Sequence, residues 1–130
     1  MGIAPRQRIL VVDDEEDVAQ VVIQILEKNG YAATGVTDPL DAPQRAAEYK
    51  PDLVILDFNM PRLVGPELAV LLKSRPETRN TPVIFLSGMT DEDHKDLGKF
   101  AGAAAYLEKP VDALRLLETI RTLLSGDKKP

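Results

Sequence analysis

"LVILDFNMP", residues 53–61, decides how this chain is read. Leu53, Val54, Ile55 and Leu56 form an unbroken apolar run, the pattern of a strand covered on both faces. The run stops on Asp57, and Asn59 and Pro61 give a turn signal just behind it. A buried strand that ends on an acid needs a reason.

The surrounding chain repeats the arrangement. "ILVV" (9–12) predicts a first strand, "YAATGV" (31–36) a weaker second, "VIFLS" (83–87) a strong fourth and "AAYL" (104–107) a fifth. Helical spacing fills the gaps. Val18, Val22, Ile25 and Leu26 mark one face of a helix that Gly30 closes. "PELAVLLKSR" (66–75) is opened by Pro66 and stopped by Pro76. Asp112 is the expected N-cap of a last helix with Ala113, Leu117, Ile120 and Leu124 on one stripe. A helix over 91–101 is expected to be weakly anchored, with only Leu97 and Phe100 as large apolar groups and Gly98 inside it. Asp38 followed by Pro39 suggests the start of the second helix, but Pro43 would then remove an early hydrogen bond. Asp41, with Gln44 three residues on, makes the better capping box, and a short helix over about 42–49 is expected.

Strands that alternate with helices imply parallel pairing and right-handed crossovers. The expected fold is therefore a doubly wound α/β domain of five parallel strands and five helices. The 130 residues make one domain, with a core over about 7–125 and a tail or linker start at 126–130. Such sheets bind ligands beyond the carboxyl ends of their strands.

Composition narrows the function. The net charge of −5 argues against direct nucleic-acid or anionic-membrane binding. No run approaches the ~18 apolar residues of a membrane span. The absence of cysteine excludes disulfides, thiolate nucleophiles and cysteine zinc sites, and a cytoplasmic location is the default expectation. His94 stands alone in "DEDHKD" and reads as a solvated helix residue.

Each strong strand delivers a polar group at one edge. The first ends in Asp13 and Asp14, the third in Asp57 and the fourth in Ser87, while Lys109 and Pro110 follow the fifth. Unit charges ~4 Å apart at an effective dielectric near 20 repel by about 4 kcal/mol, so three acids together call for a cation. Lys109 brings one charge, and a hard divalent ion such as Mg²⁺ would bring two more. A lysine and a hydroxyl beside a metal-bound carboxylate suit a phosphoryl group. Alone, "DDEED" is an acidic helix-capping turn and "SGMT" a loop; their coincidence at successive strand ends is what points to a site.

With "ILVVDDEEDV" (9–18), "PDLVILDFNMP" (51–61), "VIFLSG" (83–88) and "AYLEKPV" (105–111), the chain resembles the receiver domain of bacterial two-component response regulators over about residues 7–125. The resemblance implies a flavodoxin-like strand order, 2-1-3-4-5. It implies that Asp57 takes a phosphoryl group from a histidine kinase or histidine phosphotransfer protein. It implies Mg²⁺ bound by Asp14, Asp57 and the backbone carbonyl of Asn59, with Asp13 acting through a water. Ser87 and Lys109 would hold phosphoryl oxygens, Lys109 being followed by a cis peptide to Pro110. Ser87 and Tyr106 would form the switch. The face of the fourth helix, fifth strand and fifth helix would bind a partner or a second copy of the chain. Two departures stand out. Val64 occupies a position where the family usually has Asp, though Gly65 remains, and Pro43 makes the second helix atypical.

Three alternatives compete. A flavin-binding flavodoxin would need a phosphate loop where "DDEED" stands. A haloacid-dehalogenase-type phosphatase would need an Asp in place of Asn59. A pseudo-receiver would be expected to have lost an acceptor or metal acid, and none is lost.

Overall fold

The computed structural model describes residues 6–58, 65–88 and 102–125. Asn59, Val64, Met89, the expected helix over 91–101 with His94, and the 126–130 tail lie outside these residues.

Five strands run Arg8–Val12 (β1), Ala32–Val36 (β2), Leu53–Asp57 (β3), Val83–Ser87 (β4) and Ala105–Glu108 (β5). All pair in parallel, in the order β2-β1-β3-β4-β5. The doubly wound, flavodoxin-like reading therefore holds. Four helices are described: α1 (Glu16–Lys28), α2 (Ala42–Tyr49), α3 (Gly65–Lys73) and α4 (Ala113–Leu124). Because the 91–101 segment is not described, α4 is the helix expected as the fifth.

Side-chain alternation along the strands divides the core in two. Leu10, Val12, Val54, Leu56, Val83 and Phe85 face one way, packing with Ala42 and Ala46 of α2 and Leu68, Ala69 and Leu72 of α3. Ile9, Val11, Leu53, Ile55, Ile84 and Leu86 face the other, packing with Val22 and Leu26 of α1 and Leu116 and Ile120 of α4. Every residue of β3 and β4 is buried, which is why those runs carry no polar alternation.

The start of α2 differs from expectation. Asp41 makes no capping bond; Asp38 does the capping instead, accepting from the Leu40 amide at 3.0 Å ahead of a short 3₁₀ turn, Pro39–Asp41. That turn leads straight into α2, so Asp41 already has helical dihedrals (φ −86°, ψ −11°). Pro43, at the second helical position, has no N–H for Asp41 to cap. The Gln44 amide nitrogen donates to Glu48 at 2.8 Å rather than closing a box. At α4 the expected cap is present: Asp112 accepts from the Arg115 amide at 3.3 Å.

Candidate functional site

Register brings the acids together. Val12 lies opposite Leu56 in the β1/β3 pairing, so Asp13 and Asp57 leave adjacent strands side by side. The Asp13 amide donates to the Val36 carbonyl at 3.1 Å, which carries strand-like backbone one residue beyond β1. Asp13 is 2% exposed and Asp57 7%, while Asp14 faces solvent. One carboxylate oxygen from each of the three lies within 4.8 Å of the others.

The cation arrives from the other side of the sheet. The Lys109 amide donates to the Ser87 carbonyl at 2.7 Å, fixing its backbone to the end of β4. The Lys109–Pro110 peptide is cis. Lys109 Nζ donates to Asp13 Oδ2 at 3.1 Å and to Asp57 Oδ1 at 3.3 Å. The second Asp13 oxygen, Oδ1, accepts from the Glu15 amide at 2.9 Å.

Charge is not balanced within this set. Burial raises the Asp57 carboxyl most, the neighbouring Asp13 charge adds to the rise, and a hydrogen bond with Asp14 contributes further. Lys109 works against these through its charge and hydrogen bond, yet the pKa still reaches about 7. On Lys109 itself burial is the largest influence and would lower the pKa. The charges of Asp57 and Asp13 outweigh it and hold the ammonium above its ordinary range. Fully ionised, three carboxylates and one ammonium leave a charge of −2, which one divalent cation would cancel. Clustered carboxylate oxygens are the ligand set of hard cations such as Mg²⁺ or Ca²⁺, so the residues fit a metal of that class.

The remaining residues named from the sequence fall around this cluster. Ser87 ends β4, beside Asp57, and is 1% exposed. Tyr106 lies in β5 opposite Phe85 and is half-buried. The Asn59 carbonyl is outside the described residues. Two neighbours make contacts that the sequence reading did not assign. Phe58, directly after Asp57, packs its ring edge-on against both Phe85 and Tyr106, with centroids 5.4 and 5.7 Å apart. Gly65 opens α3 so close to the end of β3 that a Cβ there would lie 2.6 Å from the Asp57 carbonyl oxygen and 3.0 Å from Phe58 Cα. Its amide donates to the Phe58 carbonyl at 2.8 Å. Phe58 reads from sequence only as one more apolar residue after the acid. Gly65, standing where a loop meets a helix, was the available signal for a close approach.

Comparison with known proteins places this geometry. The family model described as "Response regulator receiver domain" matches residues 9–121. PilH of Pseudomonas aeruginosa is 38% identical over 119 residues, 92% of this chain and 98% of its own. The polar-differentiation response regulator DivK of Brucella anthropi is 30% identical, over 92% of this chain and 96% of its own. The solved structure of the chemotaxis protein CheY4 of Vibrio cholerae superposes with a TM-score of 0.88 at 30% identity, covering 92% of this chain and all of that one.

Proposed function

The chain belongs to the response regulator receiver domain family, and on that premise we propose that it is a phosphoacceptor switch of a two-component system, with Asp57 as the acceptor. The observation that carries this reading is Lys109 Nζ, held at 3.1 Å from Asp13 and 3.3 Å from Asp57 inside a cluster of three carboxylates at the carboxyl edge of the sheet. A flavin-phosphate loop would not be built from a run of acids such as Asp13–Asp17.

In the proposed transfer, an Asp57 carboxylate oxygen attacks the phosphorus of a phosphohistidine. A P–O bond forms, the P–N bond breaks, and its electron pair leaves with the imidazole. The nucleophile needs no general base, only its ionised form. The Lys109 ammonium, already beside Asp57, pairs with one phosphoryl oxygen. The Ser87 hydroxyl donates to another. Asp14, Asp57 and the Asn59 carbonyl would hold Mg²⁺, with Asp13 acting through a water, and the bound ion would neutralise the charge gathered on the phosphoryl oxygens. Hydrolysis of the acyl phosphate by water returns Asp57 to its carboxylate.

The partner is a histidine kinase or histidine phosphotransfer protein, which would place the chain in the cytoplasm. Ser87 and Tyr106 would carry the response to a face that includes β5 and α4, where an output partner or a second copy would bind. Intact-mass measurement after acetyl phosphate treatment tests the acceptor. The expected result is one phosphoryl adduct that requires Mg²⁺ and is absent from Asp57→Asn. A full adduct on that variant would overturn the assignment.

A further inference from the structure

We infer that Phe58 is the fixed ring against which Tyr106 turns, and that this aromatic pair sets the resting balance between inward and outward Tyr106. The inference rests on the reading of Tyr106 as the switch aromatic and goes beyond it by naming the residue that sets the balance.

The two rings are held very differently. The Phe58 backbone is clamped on both sides: its amide donates to the Leu86 carbonyl at 2.9 Å, and its carbonyl accepts from the Gly65 amide at 2.8 Å. Gly65 leaves no slack, since a Cβ there would stand 3.0 Å from Phe58 Cα. The Phe58 ring is 3% exposed and meets Phe85, itself fully buried, at an interplanar angle of 72°. Phe58 therefore has neither backbone nor side-chain room. Tyr106 is the opposite case. It lies on β5, the edge strand, and is half-buried against the core cluster that contains Phe58. Its ring meets Phe58 at 65°, an edge-to-face contact. Of the pair, Tyr106 is the ring on an edge strand and the less deeply buried.

The contact rewards one orientation of Tyr106. Edge-to-face aromatic pairs favour the packed state on the order of 2- to 10-fold beyond simple burial. With Tyr106 as the switch, the orientation packed on Phe58 is the inward state, and removing the Phe58 ring should lower the inward-to-outward ratio by that factor. Because Phe58 directly follows Asp57 in the chain, the fixed ring also ties the pair to the acceptor. By linkage, an acyl-phosphate mimic that draws Tyr106 inward should bind correspondingly more weakly when the pair is lost.

The test uses Phe58→Leu and the longer, unbranched Phe58→Met, so that loss of a ring is separated from loss of volume. In the ligand-free protein, Tyr106 side-chain couplings measured by NMR should report an inward-to-outward ratio lower by about 2- to 10-fold in both variants. An unchanged population in a folded variant overturns the inference. Beryllofluoride affinity is then measured in the wild type, Phe58→Met, Tyr106→Leu and the double variant. Phe58→Met should weaken binding with Tyr106 present and have no effect in the Tyr106→Leu background. An equal effect in both backgrounds would mean that Phe58 acts through the Asp57 backbone, and would also overturn it. Failure of beryllofluoride to bind the wild type would count against the phosphoacceptor reading instead, and the ligand-free NMR arm would still decide the role of Phe58.

Discussion

Asp57→Asn is expected to make the metal-free protein more stable above pH 7, although it removes the proposed acceptor. The folded state holds the Asp57 proton up to about pH 7, whereas an unfolded chain releases it near 3.8. The folded state therefore binds more protons between those values, and stability falls as pH rises through that window. The penalty is complete above pH 7 and relieved as pH drops towards 4. At 1.36 kcal/mol per pKa unit, the difference amounts to about 4 kcal/mol of strain at pH 8. The asparagine keeps the shape of the side chain and removes its charge, but it leaves Lys109 paired with Asp13 alone. Losing one charged hydrogen bond offsets about 2 kcal/mol of the gain. A net stabilisation of about 2 kcal/mol remains, or roughly 8 °C in melting temperature for a chain of this size. Thermal melts in EDTA at pH 8 and pH 5 measure it. The advantage of Asp57→Asn should be largest at pH 8 and shrink at pH 5, where the wild-type Asp57 is already protonated. Saturating Mg²⁺ at pH 8 should erase it by stabilising the wild type, by about 2.7 kcal/mol at one hundred times the dissociation constant. A wild type more stable than the Asp57→Asn variant at pH 8 in EDTA, or a gap independent of pH, would refute the picture of a strained acid cluster.

Two further outcomes follow from the same edge of the sheet. Gly65→Ala places a Cβ 2.6 Å from the Asp57 carbonyl oxygen, so it should lower stability by about 1–3 kcal/mol and reduce labelling of Asp57, as read from denaturant midpoints and adduct yield. Asp14→Ala removes an exposed carboxylate with no packing to lose, so calorimetric titration should show markedly weaker Mg²⁺ binding with an unchanged far-UV spectrum.

What the sequence made legible is what one-dimensional pattern encodes directly. Unbroken apolar tetrads announced β1, β3 and β4 because strands covered on both faces leave no room for polar alternation. The acids at their ends stood out for the same reason: Asp13 and Asp57 are charged residues at the point where an apolar run ends. Three-dimensional closeness was less visible. The sequence put Lys109 among the acids without saying which of them it would meet; its Nζ pairs with Asp13, 96 residues away, as well as with Asp57. That contact depends on the β1/β3 register and on how Lys109 is tied to the end of β4, neither of which leaves a local trace. Asp38 before Pro39 signals a start, but the Asp41–Gln44 spacing outweighed it, because a local box rule does not foresee a 3₁₀ turn that runs into the helix. Phe58 was missed because an apolar residue after a strand says nothing about which ring it will touch.

The two sides of the site follow from the position of each strand in the sheet. β3 is flanked by β1 and β4, so its end, with Asp57 and Phe58, is locked by ladder bonds and by the tight start of α3. β5 is an edge strand with a single neighbour, and Ala105 and Tyr106 are only partly covered. A chemical change at Asp57 therefore meets an unyielding wall on the β3 side. Under the proposed function, the groups among the described residues that would answer it are Lys109, by passing from a carboxylate to a new anionic oxygen, and Tyr106, by changing its packing. Both belong to β5 or to the turn just after it. Under the proposed function, the order 2-1-3-4-5 would separate a rigid acceptor from a yielding reporter, with Ser87 on the strand between them. Reversing that order of stiffness would lose the signal: a soft acceptor would absorb the change, and a locked β5 could not display it.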